Sequence, residues 1–107
     1  KAAMQNGLKE AVKVPLSVAK AAAEILPAAR LMIEKGNKTA ETDGLVAAMM
    51  ARTGVLGALF NVKINLASIE DETFTKEIRE QVSRLEQEAV KMEREILELS
   101  IVGKGVL

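Results

Sequence analysis

Residues 42–68 read TDGLVAAMMARTGVLGALFNVKINLAS, with Asp43, Arg52 and Lys63 as the only charges and no proline. A helical period fits the stretch. Asp43, Ala47, Ala51, Gly54, Ala58, Asn61 and Asn65 recur at steps of three and four along one face, and Gly57 lies beside it. Larger apolar residues, among them Leu45, Met49, Leu56, Leu59, Phe60 and Ile64, take the other faces. A helix that is apolar nearly all round is expected to be buried. A small-residue face lets a second backbone or a ligand come close. Each interior glycine costs about 1 kcal/mol relative to alanine. Gly44, Gly54 and Gly57 therefore predict close approach along this helix. The stretch is long enough to cross a membrane, but Arg52 near its middle and Lys63 near its end are costly in lipid. That balance favours a buried helix of a bundle and no membrane partner.

On the N-terminal side, residues 1–13 read as a short helix. Val14-Pro15-Leu16 follows, where Pro15 withholds a backbone donor and restricts Val14. It either opens the next helix or kinks a continuous one, and a break is expected here. Leu16, Ala19, Ala23, Leu26 and Ala29 resume an apolar stripe, with Pro27 predicted to kink it. Gly36-Asn37 stops that helix, and Lys35 suits its last turn. Residues 37–41 then form a short loop, and Thr42 caps the central helix with Asp43 in its first turn.

On the C-terminal side, Asp71 is the next cap and Phe74 the first anchor. Phe74, Ile78, Val82, Leu85, Ala89, Met92, Ile96 and Leu99 alternate steps of four and three. Opposite charges four apart flank this stripe at Lys76/Glu80, Glu80/Arg84, Arg84/Glu88, Lys91/Glu95 and Arg94/Glu98. The fold expected is all-α: an antiparallel bundle of helices near 15–35, 43–68 and 71–100, plus the N-terminal piece. One nearly all-apolar helix among three leaves too little partner surface in 107 residues. A missing N-terminal half or a second chain is expected to complete the bundle.

Composition narrows the chemistry. Lysine plus arginine and aspartate plus glutamate both number 15, so the net charge is zero and general polyanion binding is disfavoured. Residues 70–98 are acidic and the rest of the chain is basic, which favours their mutual attraction. There is no cysteine for thiolate chemistry and no histidine for neutral-pH acid–base work. Phe60 and Phe74 are the only aromatics, a poor platform for nucleobases. Residues 54–57, GVLG, lack the rest of a dinucleotide fingerprint, and no zinc or calcium spacing occurs.

The polar residues of the central helix are the candidates for chemistry. Asn61 and Asn65 lie one turn apart on an otherwise apolar face, and an amide both donates and accepts. A pocket role and a structural role have equal standing on chemistry alone. Asp43 starts about 33 Å from Asn65 at 1.5 Å per residue, so one small ligand cannot touch both within a subunit. Arg52 has three readings, in order: it snorkels, it pairs with an acid of the last helix, or it meets an anion. Lys13, Lys20 and Lys63 are further candidates for an acidic ligand. Met49, Met50 and Met92 are expected core fillers.

The wording of several segments then matters more than their period. Val14-Pro15-Leu16, Gly36-Asn37, Thr42-Asp43-Gly44, Gly57-Ala58 and Asn61-Val62-Lys63-Ile64-Asn65-Leu66, in that order, resemble the cyclodeaminase family over most of residues 8–100. The family includes the cyclodeaminase part of formiminotransferase-cyclodeaminase and single-domain relatives described as methenyltetrahydrofolate cyclohydrolases. The resemblance implies a cytoplasmic, helical, metal-free enzyme of one-carbon metabolism and histidine degradation. It would act on a tetrahydrofolate derivative as a homodimer or larger homo-oligomer. The implied reaction closes formiminotetrahydrofolate to methenyltetrahydrofolate and releases ammonia. Asp43, Asn61 and Asn65 match the family's Asp and Asn-x-x-x-Asn positions and become folate-binding candidates. Lys13, Lys20, Arg52 and Lys63 become candidates for anion contact. Members are usually nearly twice this length, and their N-terminal half carries a Pro-Gly-rich segment and the acid usually considered catalytic. Residues 1–107 are therefore expected to be one helical unit, the C-terminal part of such a domain. Alone it would be inactive; a methenyltetrahydrofolate cyclohydrolase and a non-catalytic helical assembly module are the alternatives.

Overall fold

The structure is a computed structural model that describes residues 2–107. It is all-helical, with no strand among the described residues. Among the described residues five helices follow one another: α1 Ala2–Ala23, α2 Ile25–Lys35, α3 Lys38–Leu66, α4 Glu72–Glu98 and the single turn α5 Ile101–Lys104. The molecule is elongated, 56 × 18 × 16 Å, with a radius of gyration of 16.5 Å. A rounder domain of 100 residues would have about 13 Å.

Helix α3 is the axis. Gly44, Leu45, Ala48, Ala51, Val55, Leu59, Val62 and Leu66 are its buried residues. They meet Val12, Leu16 and Ala19 of α1, Leu26 and Ala29 of α2, and Ile78, Val82, Ala89 and Ile96 of α4. The α4 stripe packs as its spacing predicts, except at its end, where Leu97 is buried and Leu99 is exposed. The expected burial of α3 on all sides is not met. Met50 is 69% exposed, Phe60 59% and Ile64 71%, and Val46 and Met49 are exposed as well. Met49 and Met50 are thus surface residues, because α1, α2 and α4 cover only one side of α3. On α1, Met4, Val14 and Val18 are exposed too.

Several boundaries differ from expectation for local reasons. Helix α1 runs through Pro15 without a break. The interruption falls at Glu24 instead, three residues before Pro27. Pro27 cannot donate to the carbonyl of Ala23, so α1 ends there and Pro27 sits in the first turn of α2, where no such donor is needed. Helix α3 starts at Lys38, because Asn37 and not Thr42 is its cap: Asn37 Oδ1 accepts from the Ala40 amide at 3.0 Å. Thr42 lies inside the helix and its hydroxyl donates back to the Lys38 carbonyl. Asp71 caps α4 as expected, accepting from the Phe74 amide at 3.1 Å.

Charges organise the outside. Among the described residues, only Arg94–Glu98 of the five expected pairs along α4 forms, at 3.1 Å. The other paired acids of that segment turn to bases elsewhere: Asp71 to Lys9, Glu86 to Lys63, Glu93 to Arg52 and Glu95 to Arg30. The acidic segment thus binds the basic remainder, as the charge distribution favours. Lys9 also lies 5.4 Å from the centre of the Phe74 ring. Beside it, Gln5 braces the α3–α4 turn, donating to the Ser68 carbonyl and accepting from the Glu70 amide.

Candidate functional site

Helices α1 and α3 run antiparallel. At one end Ala22 faces Gly54, where an added Cβ would lie 3.4 Å from that of Ala22. At the other end Gln5 reaches Ser68. Gly54 therefore does what its residue type predicts and lets α1 approach. Gly44 does the same for α2, since its Cβ would meet the Ala29 carbonyl at 2.9 Å. Gly57 does not, because nothing lies within 4 Å of it and it faces open space.

Between the two helices the small residues leave a groove of about 600 Å³. Ala11, Val14, Pro15 and Val18 form one wall, and Gly54, Ala58, Asn61 and Asn65 form the other. This is within the size range of small-molecule pockets. The side-chain hydrogen bonds of α3 are those of Asn37, Thr42, Thr53 and Lys63. The amides of Asn61 and Asn65 consequently have no partner among the described residues. They stand one helical turn apart, about 6 Å along the axis. Among the described residues no titratable side chain lines the groove.

A family described as formiminotransferase-cyclodeaminase matches residues 1–84 of this sequence. The chain belongs to that family. Formimidoyltransferase-cyclodeaminase of Sus scrofa is 44% identical over 88 residues, covering 82% of this chain and 16% of its own length. The protein of the same name from Rattus norvegicus is 42% identical over 87 residues, 81% of this chain and 16% of its own length. Methenyltetrahydrofolate cyclohydrolase of Methylorubrum extorquens is 32% identical over 97 residues, 91% of this chain and 47% of its own length. The chain therefore spans about a sixth of the first two relatives and about half of the third. Together these relatives tie the family to folate one-carbon chemistry. Every groove residue lies within the matched range.

In this cyclodeaminase-family chain the candidate residues separate into three places. Asn61 and Asn65 meet in the groove. Asp43 is exposed in the second turn of α3, far from both, and neither caps the helix nor lines the groove. The four cations also lie elsewhere. Lys13 is paired with Glu10 at 2.9 Å. Lys20 is exposed on the solvent side of α1 that carries Glu10, Lys13, Ser17 and Glu24. Lys63 is held by Glu86, and Arg52 stands 3.7 Å from Glu93 with its Nε making no hydrogen bond. The pairing of Arg52 with α4 is the second of the three readings given for it. The residues that sequence reasoning did not place in the site are those of α1. Val14-Pro15 was visible as punctuation, but only the antiparallel packing turns it into a wall. Among the described residues no group of three or more His, Cys, Asp or Glu is placed to hold a metal ion.

Proposed function

We propose that this chain is the folate-orienting, C-terminal part of a formiminotetrahydrofolate cyclodeaminase domain. In the reaction a folate amine attacks the formimino carbon, a C–N bond forms, and protonated nitrogen departs as ammonia. The observation that carries the reading is the pair of partner-free amides, Asn61 and Asn65, in a groove inside the matched segment. Such amides hold a substrate through its ring nitrogens and carbonyls. The groove offers no titratable side chain, so it orients the substrate while proton transfer falls to groups outside it. The exposed apolar side of α3 and α1 favours a homodimer or larger homo-oligomer. A second reading, methenyltetrahydrofolate cyclohydrolase, draws on the relative of that name, which matches 91% of the chain.

The test is ammonia release from formiminotetrahydrofolate. It is measured with a full-length family member, with that protein altered at the asparagines matching Asn61 and Asn65, and with residues 1–107. Activity is expected from the first, weaker folate binding or turnover from the second, and little or none from the third. A folded but inactive full-length protein that hydrolyses methenyltetrahydrofolate establishes the second reading. Unchanged kinetics in both asparagine variants return those residues to a structural role.

A further inference from the structure

Pro15 interrupts no helix, yet it removes a hydrogen bond from one. In an α-helix the carbonyl of residue 11 accepts from the amide of residue 15. Proline has no amide hydrogen, so the Ala11 carbonyl has no donor four residues on. Ala11 and Pro15 both line the groove. The register of the two helices says where the vacant carbonyl falls. Ala22 faces Gly54, and moving eleven residues along each antiparallel helix brings Ala11 level with Asn65 and Pro15 level with Asn61. Helix carbonyls point toward the C-terminus, so the Ala11 oxygen falls between the levels of the two amides.

We propose that Pro15 is a positioning residue of the groove: it frees the Ala11 carbonyl to act, with Asn61 and Asn65, as a three-point reader of an uncharged heteroaromatic ring edge. This rests on the folate reading above and says which end of the folate enters. Two amides and a carbonyl match an edge that carries N–H donors beside a ring acceptor, as the 2-amino-4-oxo edge of a pterin does. Among the described residues no cation lines the groove: Lys13, Arg52 and Lys63 are paired with acids, and Lys20 is on the solvent side of α1. The anionic glutamate tail therefore has no counter-charge here and lies outside. The apolar walls, Val14, Val18 and Ala58, suit the faces of a flat ring.

The test uses residues 1–107 and three probes: tetrahydrofolate, tetrahydropterin and p-aminobenzoylglutamate, with dissociation constants from calorimetry. Tetrahydropterin is expected to bind within tenfold of tetrahydrofolate, and p-aminobenzoylglutamate not to bind. Pro15→Ala and Pro15→Val both restore the amide that occupies the Ala11 carbonyl. Both should weaken tetrahydropterin about tenfold, as expected for one lost hydrogen bond, and both should raise the urea midpoint. The opposite signs separate a ligand role from a folding role. Wild-type affinity in both variants overturns the proposal, as does loss confined to Pro15→Ala, which would assign the effect to ring bulk. Tight binding of p-aminobenzoylglutamate without tetrahydropterin overturns it too while leaving the folate reading standing. If tetrahydrofolate itself fails to bind, the folate reading falls first.

Discussion

Gly44→Ala is the sharpest test of the packing around α3. Gly44 is buried where α3 meets α2. An added Cβ would lie 2.8 Å from Ile33 Cγ1, 2.9 Å from the Ala29 carbonyl oxygen and 3.2 Å from Met32 Cβ. The isoleucine can rotate away, but the carbonyl belongs to the α2 backbone and cannot. Two effects oppose each other. Alanine improves helix propensity by about 1 kcal/mol, and overpacking a close contact costs about 1–3 kcal/mol. The backbone contact makes the cost the larger, so a net loss of about 1–2 kcal/mol is expected, or roughly 5–15 °C in Tm for a chain of this size. Gly7→Ala is the matched control, because nothing lies within 4 Å of that position. It should gain up to about 1 kcal/mol from propensity alone. Urea denaturation followed by far-ultraviolet circular dichroism gives both values. A Gly44→Ala midpoint raised as far as that of Gly7→Ala refutes the close approach of α2 and α3.

Asn37→Ala removes the cap of α3 and should cost about 1 kcal/mol in the same assay, whereas Thr42→Ala, deprived only of a back-bond to Lys38, should cost less. Asn61→Ala and Asn65→Ala should leave stability within about 0.5 kcal/mol of wild type in a thermal melt, since neither amide holds the fold together. The Asp71 carboxyl is held below its ordinary value of 3.8, first by the hydrogen bond from Lys9 and then by the Phe74 amide. Its contribution is therefore complete above the ordinary carboxylate range and is lost as pH falls through the lowered value. The Tm difference between wild type and Asp71→Asn should accordingly be constant near neutrality and shrink only in strong acid; a difference that grows on acidification contradicts the pairing.

The fold was legible where one local signal had no competitor. Asp71 before Phe74, and the four-three spacing after it, place α4 to within a residue or two. Pro27 interrupts the chain near where its residue type predicts, but as a division between α1 and α2 instead of a kink within one helix, since its missing amide leaves the Ala23 carbonyl without a donor. Pro15 misleads by the same chemistry. The tertiary contacts of Val12, Leu16 and Ala19 keep α1 helical across it, and no local rule weighs those contacts. Asn37 and Thr42 are both good caps, and the choice depends on how far α3 extends to meet α2. In the site, the Asn61/Asn65 face was visible from spacing alone. Its opposite wall was not, since residues 11–18 and 54–65 become neighbours only through packing. The cations read as anion contacts lie outside the groove, where Arg52 and Lys63 meet acids of α4 and Lys13 meets Glu10.

Gln5 joins two distant parts of the chain in a way that affects how the molecule opens. Its side-chain amide serves both the Ser68 carbonyl and the Glu70 amide, across 63 and 65 residues of sequence. Chain ends ordinarily fray first, and a connecting turn exchanges its amide hydrogens nearly as fast. Here the two are tied together, because one side chain of α1 holds both sides of the turn's hydrogen bonding. The Glu70 amide, exposed though its residue is, is thereby linked to the early part of α1. Its exchange with deuterium should be slowed by that link and should quicken in Gln5→Ala.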